Sequence, residues 1–378
     1  MPTQHPDCTS IATARDSAAD EFPPAHLLLQ WHITERCILR CLHCYQADAP
    51  SDELDWPTLL RILDQFRELR RQILVRRPRK QTRFHISITG GEPFIRDDAL
   101  PLLEAIASER DAYSLAVLCN GMLIDDTLAR RLAGLRLSYV QVSIDGSEST
   151  HDRTRGQGAY ARAVAGIRHL TRHGVPVMLA FTATRDNCDE FADVARLGKQ
   201  LGVRRVWADR CVPLGRAGSN EALGPEETLR LFRSMQHEAE TARRERSRTE
   251  IAMHRALQFL LTGAQPYRCT AGTGLLTVMA NGDVCPCRRM PVVAGNILSE
   301  SLSDLYWGSV VLNQLRAPGV SPVGCERCFY SKTCRGGLRC LAAATYGDPF
   351  AADPGCWLQS RRRDAEALDE MTAKVGVV

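Results

Sequence analysis

Three cysteines crowd one short segment, Cys37-x3-Cys41-x2-Cys44, inside ERCILRCLHCYQ. Thiolates this close can converge on one metal centre from a single loop, and no fourth ligand stands beside them. A structural zinc site is closed by four protein ligands, whereas an open position admits a substrate or cofactor. Iron–sulfur clusters normally take four cysteines, so three on a four-iron cube leave one iron free to react. A zinc knuckle borrowing a distant ligand is the competing reading of the spacing alone. Eight more cysteines, Cys269, Cys285, Cys287, Cys325, Cys328, Cys334, Cys340 and Cys356, fall within residues 269–356. Two fully ligated cubes require that number. Cys8, Cys119, Cys188 and Cys211 are scattered and read as inert thiols.

The bulk composition narrows the setting of this chemistry. The chain has 378 residues, 44% hydrophobic and 24% charged, enough for one large domain and a smaller one. No apolar run approaches the ~20 residues of a membrane-crossing helix. The opening MPTQHPDCTSIATARDSAADEF lacks the basic start and apolar stretch of a secretory signal. The expectation is a cytoplasmic protein, where 15 cysteines mean metal binding or catalysis rather than disulfides. Net charge is only +4. The basic runs at 67–83 and 243–248 read as solvated faces, or else as a docking surface for an acidic peptide or protein. Without aromatic interleaving or a base-reading motif, nucleic acid is disfavoured.

The elements that must position the cysteines follow from periodicity. Apolar runs at 26–34, 84–89, 114–119, 138–144, 175–183 and 203–209 alternate with helical spacing at 55–75, 98–109, 125–135, 159–173 and 189–201, and 225–242 follows the last strand. Six βα units predict an α/β fold with a parallel sheet and right-handed crossovers. Six are too few for a closed eight-stranded barrel, so a partial (β/α)6 barrel is expected, with its chemistry at the strands' C-terminal ends. The expected divisions are a tail at 1–25, the barrel at 26–242, a linker at 243–265, a cysteine-rich unit at 266–358 and a charged amphipathic helix at 359–378.

CxxxCxxC at the end of the first strand of such a barrel resembles the radical S-adenosylmethionine (SAM) superfamily. The resemblance implies a [4Fe-4S] cluster on Cys37, Cys41 and Cys44, whose free iron binds the amino and carboxylate groups of SAM. One electron then cleaves SAM to a 5′-deoxyadenosyl radical. It also implies that His43 lines the adenine pocket, and that Gly90, Gly91 and Glu92 of ITGGEPF contact the SAM amino group. Cys119-Asn120-Gly121 resembles the family's TNG turn, which brings Asn120 to the cofactor. Ser143 and Arg155 would hold the SAM carboxylate, and Asp145 would shape the ribose side. The later cysteines, with NGDVCPCRRM and GDPFAADPGC, resemble the SPASM extension, which in full form carries two auxiliary four-iron clusters. That resemblance places Cys325, Cys328, Cys334 and Cys356 on one auxiliary cluster. It places Cys269, Cys287 and Cys340 on the other, with Cys285 the candidate fourth ligand. Leu338 stands where the pattern usually has a cysteine, so either Cys340 replaces it or the cluster keeps an open site.

The implied activity is hydrogen abstraction from an unactivated carbon of a ribosomally made peptide, giving a crosslink, an epimerised residue or an oxidised side chain. Arg288 follows Cys287 where sulfatase-maturing relatives carry an aspartate, which demotes that activity. Action on a haem precursor or redox cofactor is the alternative, and a non-catalytic iron–sulfur or zinc scaffold is a reading of another class. The implied partners are a peptide, a separate leader-recognition protein, and a flavodoxin or ferredoxin as electron donor. Asp209, at the sixth strand's end, is the candidate general base, though acids there serve equally often as helix caps.

Overall fold

Successive side chains along a strand point to opposite faces, and here the two faces differ in polarity. In β1 (His26–His32) Leu27, Leu29 and Trp31 are fully buried on one side, while Leu28 and Gln30 line a central cavity on the other. The same division holds for β2 (Arg83–Thr89), β3 (Ser114–Cys119), β4 (Tyr139–Ser143), β5 (Val177–Ala183) and β6 (Arg205–Arg210). Ile86, Ile88, Val140, Val142 and Val206 join the apolar core, whereas Ser87, Thr89, Gln141, Ser143, Arg205, Trp207 and Asp209 face the cavity. The computed structural model that carries these features describes residues 22–46, 53–77, 82–218, 221–317, 319 and 321–360.

The outer face is covered by helices α1 (Trp56–Arg76), α2 (Ala99–Ala107), α3 (Asp126–Gly134), α4 (Glu148–Arg155), α5 (Ala159–Arg172), α6 (Phe191–Gln200) and α7 (Pro225–Arg244). Local chemistry starts two of them: Asp55 accepts from the Thr58 N–H at 3.0 Å and Asp125 from the Leu128 N–H at 2.8 Å, as N-cap carboxylates do. The short α4 after β4, ESTHDRTR, lacks an apolar stripe and was not anticipated by periodicity. The basic run on α1 is a helix face with local partners: Arg71 pairs with Glu68, Arg67 with Asp64 and Glu109, and Arg76 lies 4.2 Å over the Trp307 ring.

Strands β1 to β6 pair in parallel and in sequence order, the expected partial barrel. Two features extend it. Residues 250–251 form β7 (Glu250–Ile251), parallel to β6, inside the stretch expected to be a linker. On the opposite side β8 (Leu275–Val278) pairs in parallel with β1, and β9 (Asp283–Cys285) and β10 (Gly295–Asn296) continue the sheet antiparallel. The cysteine-rich segment is therefore built onto the barrel's own sheet. The sheet runs β10-β9-β8-β1-β2-β3-β4-β5-β6-β7. Among the described residues its two ends are not paired with one another, so the barrel is open. The helix expected at 359–378 and the tail at 1–25 lie almost wholly outside the described residues.

A buried ion pair ties the C-terminal segment to β6. Arg210 donates to both carboxylate oxygens of Asp353 at 2.7 Å, and both side chains are 1% exposed. Asp353 also accepts from the Leu338 and Gly355 N–H groups, which satisfies its remaining lone pairs. Removing one member of such a pair leaves an uncompensated buried charge. Asp353→Ala is expected to lower unfolding stability by about 3–5 kcal/mol, measured by denaturant titration. Glu68→Ala on the exposed face of α1 should leave the denaturant midpoint essentially unchanged.

Candidate functional site

The loop after β1 carries Cys37, Cys41 and Cys44 without regular secondary structure, so other elements hold it. Gly91 and Glu92 donate backbone N–H groups to the carbonyls of Thr34 and Arg36, both at 2.9 Å. Leu42 N–H donates to the Thr154 carbonyl on α4, and Arg216 N–H to the Cys44 carbonyl. The Arg216 guanidinium also reaches the Cys41 carbonyl at 3.1 Å. Gly90 and Gly91 are required by this fit: a Cβ on either would stand 2.3 Å from the Thr34 oxygen or 2.2 Å from the Arg36 oxygen. All three thiols line one cavity. Burial pushes the Cys37 and Cys41 thiols up, and each is raised further by the neighbouring thiols. Metal binding to such thiols releases their protons. Among the described residues no three thiols or carboxylates close on a single metal-ion position; a cube bonded at separate corners requires no such convergence.

The residues expected to contact SAM divide into two groups. His43, Gly90, Gly91, Asn120, Ser143 and Arg155 line the same cavity as the thiols. Unpartnered buried polar atoms belong to this wall: His43 Nδ1, Asn120 Nδ2 and Gln46 Nε2 have no hydrogen bond among the described residues. A polar ligand seated over the cysteine loop would satisfy such atoms, so the wall fits a cofactor of that chemistry. Glu92 and Asp145 are fully buried and lie behind the wall. The Glu92 carboxylate accepts from the Asn120 N–H at 2.8 Å and the Phe94 N–H at 3.3 Å, bracing the loop after β2 on the loop after β3. One bond to each oxygen leaves further acceptor sites on the carboxylate, and the glycines before it face the cavity. Asp145 takes Arg155 Nε at 2.5 Å, His43 Nε2 at 3.0 Å and the Thr182 N–H at 3.0 Å. Burial alone would raise its carboxyl, but Arg155 and His43 hold it well below the usual carboxylate range. Its role here is to orient His43 and Arg155 rather than to line the cavity itself.

The second cysteine group separates into two constellations. Cys325, Cys328, Cys334 and Cys356 line one small cavity with Phe259 and Tyr330. Burial pushes the Cys325 thiol up to about 11 and that of Cys334 up to about 12. Cys287 and Cys340 share a second apolar cluster with Leu338 and Met290, and Cys269 packs against it. Burial raises the Cys269 and Cys340 thiols, and the nearby thiol of Cys287 raises both further. Cys285 pairs across the sheet with Thr277, and burial pushes its thiol up to about 12, with Asp283 and Cys287 raising it further. Residues 285 and 287 are two apart, the spacing that keeps side chains on one face of an extended chain.

The central cavity has a volume of about 960 Å³ and is lined by the triad cysteines at one side and by Cys287 at another. Asp209 lies on its wall, but both Arg255 and Arg289 grip its carboxylate, the latter at 2.6 Å. Burial would raise this acid, yet the two guanidiniums outweigh burial and hold it well below the usual range. An acid held in a double ion pair is a poor proton acceptor, which weighs against general-base work by Asp209. The sequence reading singled out none of Tyr45, Trp207, Arg255 or Arg289. Alternation along β6 could have placed Trp207 beside Asp209; nothing in the sequence brings residues 255 and 289 to that strand.

Comparison with known proteins adds lineage to this geometry. Residues 31–198 match the radical SAM superfamily, and residues 269–330 match SPASM, an iron–sulfur cluster-binding domain. The chain is 29% identical over 355 residues to an AdoMet-dependent heme synthase of Methanosarcina barkeri, covering 87% of this chain and 95% of that protein. It is 27% identical to a PqqA peptide cyclase of Gluconobacter oxydans, covering 89% and 91%. The fold superposes on SuiB of Streptococcus suis, solved with S-adenosylmethionine, at a TM-score of 0.70 and 17% identity, covering 88% of this chain and 77% of that one.

The buried Glu92 carries a pH signature. Burial lifts its carboxyl to about 7, against the pull of the two N–H donors. The folded state then binds this proton more tightly than the unfolded chain, so the group's contribution is complete below pH 4.5 and is lost as pH rises through 7. Unfolding stability should fall by about 3 kcal/mol over that window from this group. In Glu92→Gln the decline should be largely absent, as read by denaturant melts from pH 5 to 8.

Proposed function

This chain belongs to the radical SAM superfamily and carries a SPASM iron–sulfur domain, and from that premise we propose that it modifies a ribosomally made peptide. When bound, its [4Fe-4S] cluster and SAM supply a 5′-deoxyadenosyl radical able to take hydrogen from an unactivated carbon. Cys37, Cys41 and Cys44 would hold that cluster. Gly90 and Gly91 let the backbone approach it, and Ser143 and Arg155 would take the SAM carboxylate. His43, oriented by Asp145, presents Nδ1 to the adenine side, and Asn120 presents Nδ2. Cys325, Cys328, Cys334 and Cys356 would hold one auxiliary cluster. Cys269, Cys287 and Cys340 would hold the other, with Cys285 the candidate fourth ligand.

One observation carries the reading: the triad cysteines and Cys287 line a single continuous cavity. A substrate there touches the hydrogen-abstracting side and an auxiliary redox side at once, with water limited by the walls. The unpaired ends of the sheet leave the barrel open, which suits a chain-like substrate. The PqqA peptide cyclase among the relatives supports a peptide. A second reading, a carboxylated tetrapyrrole, is favoured by the heme synthase relative and by the many arginines on the cavity wall. A leader-recognition protein and a flavodoxin or ferredoxin donor complete the proposal.

Anaerobically reconstituted protein with SAM and dithionite should release 5′-deoxyadenosine. A peptide encoded next to the gene should change mass in the same reaction; a mass change in coproporphyrin III instead selects the second reading. Cys41→Ala should abolish 5′-deoxyadenosine and remove about four of about twelve irons. Zinc at the triad of anaerobically purified protein, or full turnover by the variant, would overturn the proposal.

A further inference from the structure

The cavity wall formed by β6 and the turn after β9 has more cations than anions. Asp209 is its one carboxylate, with Arg255 and Arg289 both bound to the same oxygen, while the other oxygen accepts from the Arg210 N–H. Arg289 also lies under the influence of the thiols of Cys287, on the cavity wall, and of Cys340. Arg255 lies 5.0 Å over the Trp207 ring and 5.4 Å over the Tyr267 ring. Arg288 has the ring of Tyr45 at 5.4 Å and no carboxylate partner among the described residues. The other acids lining the cavity are Glu35 and Glu53, and Glu53 is committed to Thr34, Arg36 and Arg96. Arg205, deeper on β6, is already paired with Glu250. The Trp207 indole N–H adds a neutral donor with no partner among the described residues.

This wall offers donors and positive charge in a partly desolvated place, where guanidinium forks match carboxylates. We infer that the substrate, seated between the cysteine triad and Cys287, presents a carboxylate to Arg288, with Arg255, whose fork is held by Asp209, adding positive charge to the same wall. The inference rests on the proposed function and narrows its substrate class. The carboxylate belongs either to an acidic side chain of a peptide or to an acid arm of a tetrapyrrole, and one titration separates them. Both sources share the chemistry that Arg288 recognises.

The experiment is anaerobic calorimetry on the cluster-loaded full chain with three probes. These are acetyl-Gly-Ala-Glu-Ala-Gly-amide, the same peptide with Gln for Glu, and coproporphyrin III. The expected result is that at least one carboxylate probe binds, and which one does identifies the source. Its affinity should fall at least tenfold in Arg288→Gln and in Arg255→Gln, and stay within about threefold in Arg288→Lys, which keeps the charge. If the Glu peptide is the ligand, its Gln analogue should bind at least tenfold more weakly. Iron content and thermal midpoint identify any variant that has lost its fold or clusters. Failure of both carboxylate probes to bind, or binding unchanged by the charge-removing substitutions, overturns the inference. Absence of 5′-deoxyadenosine from the wild-type protein defeats the functional proposal instead, so the two failures are distinguishable.

Discussion

A carboxylate with no exposure to water holds the site together. Asp145, at the end of β4, draws one hydrogen bond from the cysteine loop through His43, one from α4 through Arg155 and one from the backbone of β5 through Thr182. A buried charge is tolerated only when paired and hydrogen-bonded, and here each partner comes from a different element. The constraint works in both directions. It satisfies the acid, and it fixes the imidazole and guanidinium whose remaining atoms face the cavity.

Glu92 plays a parallel part with different chemistry. It has backbone donors and no cation, so burial raises it rather than depressing it. Between them the two acids tie together the loops after β2, β3 and β4, while Gly90 and Gly91 allow the cysteine loop to lie against the sheet at hydrogen-bond distance. The mouth of the barrel is thus rigid where it must approach a cofactor closely, without a regular element in the cysteine loop itself.

On the far side of the cavity the sheet itself brings in the second chemistry. Pairing of β8 with β1 carries the cysteine-rich segment to the barrel, and the Arg210–Asp353 pair anchors its far end to β6. Cys287 and the neighbouring arginines reach the cavity wall as a consequence of these two attachments. The result is a chamber with thiols on two sides and an excess of guanidinium on one, an arrangement that favours an anionic substrate group.

Local pattern was enough to read the six parallel strands, because strand alternation, helical spacing and cap residues are properties of neighbours in sequence. The cysteine triad was equally legible, since a metal-binding loop of eight residues needs no distant partner to be recognised. The division of the later cysteines followed from their resemblance to a known pattern. Three matters were decided only in three dimensions. Glu92 and Asp145 turned out to lie behind the cavity wall, because a side chain's direction depends on which donors surround it. Asp209 became an ion-pair anchor because residues 255 and 289, far along the chain, fold onto β6. The pairing of Cys285 with Thr277 likewise emerges only once β9 meets β8, because a strand of three residues does not name its partner.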